Sequence, residues 1–177
     1  MQDTQRGRTR KLAASAVLSA LGVVLLYLAS LFETIDLSIT MLVSFLSAFA
    51  VEELRGRYPV LIYAVTGILS LLLLPQKFCA VVYLLFFGVY PVARPLLSRL
   101  PRLLSFLLKL AMFNLSLLFL VLICRFLLPE LAVEGFGLLL FIAANGAFII
   151  YDILLSMLLR LYYLKYRKLL RLHRFFS

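Results

Sequence analysis

The chain has 177 residues, 64% of them hydrophobic and only 15% charged. That is more apolar surface than a soluble domain of this length can bury, so the composition excludes a soluble globular fold and gives a single-domain, all-α integral membrane protein. The formal charge is +10, but the cations sit in short segments between apolar runs and in the C-terminal tail, where membrane orientation and anionic lipids account for them and nucleic acid is not needed.

Residues 1–11 form a polar cytoplasmic segment, expected to be mobile, that carries Arg6, Arg8, Arg10 and Lys11. The next run, Leu12 to Phe32, reads LAASAVLSALGVVLLYLASLF and has no charge. At 1.5 Å per residue it is long enough for a hydrocarbon core about 30 Å thick. Cations before it and the acids Glu33 and Asp36 after it orient the first helix outward from the cytoplasm. The run is long for a signal peptide and no clear Ala-x-Ala site follows, so a retained helix is expected. Ala13, Ala16 and Ala20 recur along it. Such small residues let another helix approach closely where lipid offers no hydrophobic drive; equally, they can simply fill a helix.

Asp36 is placed to cap a second helix, Leu37 to Val51, by accepting from its free N–H groups. Glu52, Glu53, Arg55, Gly56 and Arg57 then read as an inner loop. A third helix runs from Tyr58 or Pro59 to Leu74, with proline in the first turn where its missing N–H costs nothing. Pro75, Gln76 and Lys77 make an outer turn. The fourth helix, Phe78 to Ala93, is interrupted by Gly88 and Pro91, and a kink or early end is expected there. Arg94 to Ser105, RPLLSRLPRLLS, interleaves arginines with leucines. It reads as an interfacial cytoplasmic segment whose Arg94, Arg99 and Arg102 face anionic lipids or a cytoplasmic partner. The fifth helix covers Phe106 to Leu128, with Lys109 and Arg125 snorkelling to opposite surfaces. Pro129 and Glu130 open an outer loop, and the sixth helix covers Gly135 to Leu159.

The reading is therefore six transmembrane helices over residues 12–159, both termini cytoplasmic, and a basic cytoplasmic tail at 160–177. Sixteen of the eighteen cations fall on the inner side of this layout, leaving only Lys77 and Arg125 outside. That asymmetry is the signature of orientation by positive charge. It places the chain in the cell membrane as a multi-pass protein.

Catalytic signatures are missing from the sequence: it has no Gly-rich phosphate loop, HExxH, GxSxG or CxxC. No enzyme activity, cofactor or metal site is expected. Cys79 and Cys124 read as small hydrophobes, and His173 lies in the basic tail without a pocket. Polar residues inside spans must find partners or line a cavity. Asn114 reads as interhelical glue, Asn145 as glue or a ligand contact, and Asp152 as the partner of an inner arginine or the cap of a partner contact. Glu33, Gln76, Lys77, Arg125 and Glu130, with Glu134, gather at outward helix ends and could ring the mouth of a cavity. Tyr83 would grip the body of a small polar ligand there, and Asn145 would form the floor.

Taken together, the short basic N-terminus, six spans and length resemble the substrate-binding S component of energy-coupling-factor vitamin transporters. The run RKLAASAVLSALGVVL, Arg10 to Leu25, is similar to the N-termini of that family. Within it, Ala16 to Ala20, AVLSA, resembles the family's Ala-x-x-x-Ala contact with a transmembrane coupling protein. The resemblance implies a subunit that takes a vitamin or metal from outside while a coupling protein and two cytoplasmic ATPases drive it. Ala13, Ala16 and Ala20, with Arg94, Arg99 and Arg102, would be its docking residues. The alternative is a membrane scaffold or assembly factor without a substrate, its interior packed shut by leucine and phenylalanine.

Overall fold

A computed structural model describes residues 2–32, 35–54, 56–126, 137–162 and 164. Helix α1 spans Gln2–Leu31 without interruption. The basic segment expected to be mobile is thus helical from Gln2, and Thr9 Oγ1 donates back to Gln5 O at 3.0 Å within it. The physical reason is that adding turns to an existing helix avoids the costly nucleation step. Glutamine, arginine and lysine are also good helix formers.

Five helical stretches are long and apolar enough to cross a membrane: Gly7–Leu31, Asp36–Leu54, Phe78–Leu97, Arg102–Phe126 and Leu138–Leu161. A sixth helix, Tyr58–Leu73, is apolar but has 16 residues, about 24 Å of rise against a core of about 30 Å. The protein is an all-α, multi-pass protein of the cell membrane. Its chain divides into two units, residues 1–92 with 158–177, and residues 93–157.

In the first unit α1 packs with α2 (Asp36–Leu54) and α3 (Tyr58–Leu73). α2 runs past the expected Val51, so Glu52 and Glu53 belong to its last turn rather than to a loop. At its start the Asp36 carboxylate accepts from the N–H of Leu37. The buried stripes are rich in small and hydroxyl residues: Ser15, Ser19 and Gly22 on α1, Thr40, Ser44 and Ser47 on α2, Thr66, Gly67 and Ser70 on α3. Several of these hydroxyls return to the carbonyl one turn back, Ser15 to Lys11, Thr40 to Asp36 and Ser47 to Val43, at 2.8, 2.8 and 3.1 Å. A polar side chain that satisfies itself in this way adds little bulk and lets helices approach closely. The approach is tight at Gly22, where a Cβ would meet Thr66 Cγ2 at 3.0 Å.

The fourth span has an unusual build. α4 (Phe78–Val82) passes into a π-turn over Tyr83–Phe87, and α5 (Val89–Leu97) follows. The Gly88 N–H reaches Tyr83 O at 2.7 Å, while the Tyr63 hydroxyl donates to Leu84 O at 2.9 Å. A Cβ on Gly88 would fall 2.5 Å from Tyr63 Cδ2 and 2.9 Å from Tyr83 Cζ. The break expected around Gly88 and Pro91 is therefore a widened turn before Gly88. Pro91 lies in the first turn of α5, where no N–H is required, and the helix continues through Arg94. Leu26, Ala29, Val43, Leu74, Cys79, Ala80 and Tyr83 form an apolar core in this unit.

In the second unit α6 (Arg102–Phe126) and α7 (Leu138–Leu161) supply most of the chain. α6 starts at Arg102, before the expected Phe106, because Pro101 can open a helix and its carbonyl accepts from Ser105 N–H at 2.8 Å. The segment expected to lie along the interface comprises the end of α5, a turn and the first turn of α6.

Candidate functional site: a polar column along α6 and α7

Apolar side chains cover most of α6 and α7, and many are exposed, as lipid-facing surfaces are. The polar residues of the pair are brought together by spacing. Lys109 and Asn114 lie on α6, and Asn145, Asp152 and Ser156 on α7. Asn145 and Asp152 are seven residues apart, two turns and about 10 Å on one helical face. Because the helices face each other in opposite senses, Asn114 meets Asn145 and Lys109 meets Asp152.

The amide pair is reciprocal. Asn114 Nδ2 donates to Asn145 Oδ1 at 3.0 Å, and Asn145 Nδ2 donates to Asn114 Oδ1 at 3.2 Å. The second N–H of each amide goes to its own helix, to Leu110 O and Phe141 O, both at 2.9 Å. All four N–H donors are committed, so Asn145 retains acceptor capacity only. Beside the pair, Phe113 and Phe148 stack with ring centroids 4.7 Å apart.

Two turns along α7, Lys109 Nζ contacts both oxygens of Asp152, at 3.0 and 3.3 Å. The sequence expectation that Lys109 snorkels to the surface is corrected here. A carboxylate on the facing helix supplies a partner at depth, and the ammonium takes it. Arg94 of α5 approaches from another side. Its Nε lies 3.5 Å from Asp152 Oδ1, an ion-pair distance without a hydrogen bond, and its Nη2 donates to Ser156 Oγ at 2.6 Å. Ser156 in turn donates to Asp152 O at 2.6 Å. The three charged side chains are only 16%, 12% and 21% exposed for Arg94, Lys109 and Asp152. Two cations thus converge on one carboxylate, and the cluster holds a surplus positive charge. The Nε–H of Arg94 is buried and makes no hydrogen bond.

The expected ligand residues are not all part of this column. Tyr83 is fully buried in the first unit, and its hydroxyl lies 3.1 Å from Ser47 Oγ. Ser47 spends its proton on Val43 O, which leaves Tyr83 as the donor. Lys77 turns back to donate to Leu74 O at 2.7 Å, closing the C-terminal end of α3 where a cation is favoured. Gln76 is partly buried in the same turn, and Arg125 is exposed near the end of α6. Glu33, Glu130 and Glu134 lie outside the described residues. On the docking side Ala13, Ala16 and Ala20 are exposed, as are Arg99 and Arg102. Arg94, expected to face lipid or a cytoplasmic partner, is turned inward to Asp152 and Ser156.

The sequence reading missed the joining of Lys109 to Asp152. The signal was present, since an acid and a base in facing spans, each at depth, satisfy one another at less cost than each does alone. Among the described residues no three His, Cys, Asp or Glu side chains gather as metal ligands would. Compared with protein-family models, curated proteins and solved structures, the chain matches none of them.

Proposed function

We propose that this protein is the substrate-binding membrane subunit of a small-molecule uptake transporter, itself not an enzyme and powered by partner ATPases. The observation that carries the reading is the charged end of the polar column. Ionisable groups inside spans are costly and mark binding or transport paths more often than they serve as braces. Here Arg94 and Lys109 outnumber Asp152, and an Arg94 N–H is left unbonded. A small anionic substrate of the vitamin class suits that surplus. The proposed topology is six crossings with cytoplasmic termini, α3 being the short one, met by local thinning of the bilayer; the inner-side excess of cations supports it.

Helix α1 supports the subunit part of the proposal. Ser15, Ser19 and Gly22 are buried, whereas Ala13, Ala16 and Ala20 are exposed on another face. A transmembrane coupling protein would dock on the alanines. Replacing Ala16 and Ala20 with leucine should leave insertion intact and abolish co-purification of that partner.

A scaffold without a substrate is the second reading, favoured by the closed apolar core of Leu26, Ala29, Leu74 and Tyr83 in the first unit. Mass spectrometry of small molecules released from the purified protein separates the two, followed by calorimetry with any molecule found. The transporter reading expects a stoichiometric anionic molecule that is lost in Arg94→Met. If nothing co-purifies, the scaffold reading replaces it.

A further inference from the structure

Where α1 and α3 begin, Arg8, Thr9 and Leu12 line a groove of about 390 Å³ together with Arg57, Tyr58 and Leu61. Each helix contributes the same pattern, an arginine and then a leucine four residues later. Four residues are about one turn, or 6 Å. The groove is therefore cationic at one level and apolar at the next. The level is set by the chain itself, because the apolar stretch of α1 begins at Gly7.

Four features prepare this groove for a phosphate. Among the described residues no ion pair joins Arg8 or Arg57 to a carboxylate. Gly56, at φ +68°, makes the left-handed turn that sets Arg57 at the start of α3. The first turn of α3 has no acidic residue and no side-chain cap, so its free N–H groups, one fewer because of Pro59, have no side-chain acceptor to compete with an anion. Tyr58 packs against the buried cluster of Ala50, Leu54 and Ile62, which holds the groove wall in place. Thr9 gives its proton to Gln5 O and contributes no donor.

We propose that this groove binds the phosphate of an anionic membrane lipid. Arg8 and Arg57 hold the phosphate, and Leu12 and Leu61 lie along the upper acyl chain. Free phosphate would share the upper contacts but would leave Leu12 and Leu61, 54% and 42% exposed, without a role. The site is independent of the polar column of α6 and α7.

The test uses the full chain in detergent micelles, with native mass spectrometry after addition of phosphatidylglycerol or phosphatidylcholine. The wild type should retain phosphatidylglycerol in preference to phosphatidylcholine. R8Q/R57Q should bind phosphatidylglycerol roughly thirtyfold more weakly, the effect of two basic residues at a lipid surface. R10Q/R160Q removes the same charge from exposed positions outside the groove and should stay near the wild type. Both double variants alter exposed side chains, so folding is preserved. Equal retention by R8Q/R57Q and the wild type overturns the proposal, and so does equal loss in R10Q/R160Q. Displacement of the lipid by inorganic phosphate would assign the groove to the free ion and overturn the lipid assignment.

Discussion

Asp152→Asn tests the polar column most directly, because it keeps the shape of the side chain and removes its charge. In the wild type the carboxylate meets Lys109 Nζ at 3.0 Å and lies 3.5 Å from Arg94 Nε. Without it two cations remain in largely buried positions. Breaking a buried ion pair costs about 3–5 kcal/mol in soluble proteins. A lone Lys or Arg at the centre of a membrane helix costs about 2.5–3.5 kcal/mol on insertion scales. Lys109 is seven residues into α6, about 10 Å along its axis, so its ammonium can partly snorkel once released. The expected loss is therefore about 2–3 kcal/mol. Equilibrium unfolding in mixed micelles of mild detergent and dodecyl sulfate measures it. The double variant K109M/D152N removes both partners of the shorter pair and leaves Arg94 on Ser156. It should recover to within about 1 kcal/mol of the wild type, because most of the single-variant loss is an unpaired buried charge. The reasoning is refuted if D152N unfolds with the wild type, or if the double variant loses the full sum of the two single effects.

The amide pair should behave as a unit. Asn145→Leu strands the Asn114 amide and should cost about 1–2 kcal/mol, while N114L/N145L should cost less than either single change, read in the same unfolding assay. If a small molecule co-purifies, calorimetry on Asn145→Leu should show only a modest loss of affinity, since the donors of that amide are already committed to Asn114 and Phe141. Gly88→Ala should cost about 1–3 kcal/mol by overpacking against Tyr63 and Tyr83, and Tyr63→Phe about 1 kcal/mol by leaving Leu84 O without its donor. Cysteine-accessibility labelling should place residue 76 and residue 99 on opposite sides of the membrane; the same side for both sinks the six-crossing topology.

The membrane class was legible from composition, and the spans from uninterrupted apolar runs, because the bilayer imposes a length that a sequence can be measured against. Helix ends were less legible. The α1 sequence changes from polar to apolar near Lys11, and composition alone suggests a boundary there. The backbone continues as helix because charged residues with good propensity extend an existing helix at little cost. The π-turn after Val82 was visible only as a disturbance around Gly88 and Pro91. Its position depends on Tyr63, which comes from another helix to cover the Leu84 carbonyl, and a single-chain pattern does not show such a partner.

Side-chain partners were the least legible of all, and Lys109 shows why. A lysine one or two turns inside a span has two ways to lower its energy, to reach the surface or to find an acid at its own depth. Sequence spacing along α6 says nothing about which is open, since the choice depends on which residue of α7 lies opposite. Once Asn114 is set against Asn145, the register fixes the answer. Five residues back along α6 and seven forward along α7 carry Lys109 and Asp152 about 7.5 and 10.5 Å from the amide pair, a difference of about 3 Å that the long lysine side chain spans. The salt bridge and the amide pair therefore specify one another's register. An interface slipped by one helical turn would leave two amides and two charges unmatched in hydrocarbon. The role of this column in register is compatible with a role in binding, because the surplus cation is Arg94, which belongs to α5 and is not needed to align α6 with α7. A variant that neutralises Arg94 should thus disturb the binding of an anion while leaving the α6–α7 pairing intact, and one that removes Asp152 should disturb both.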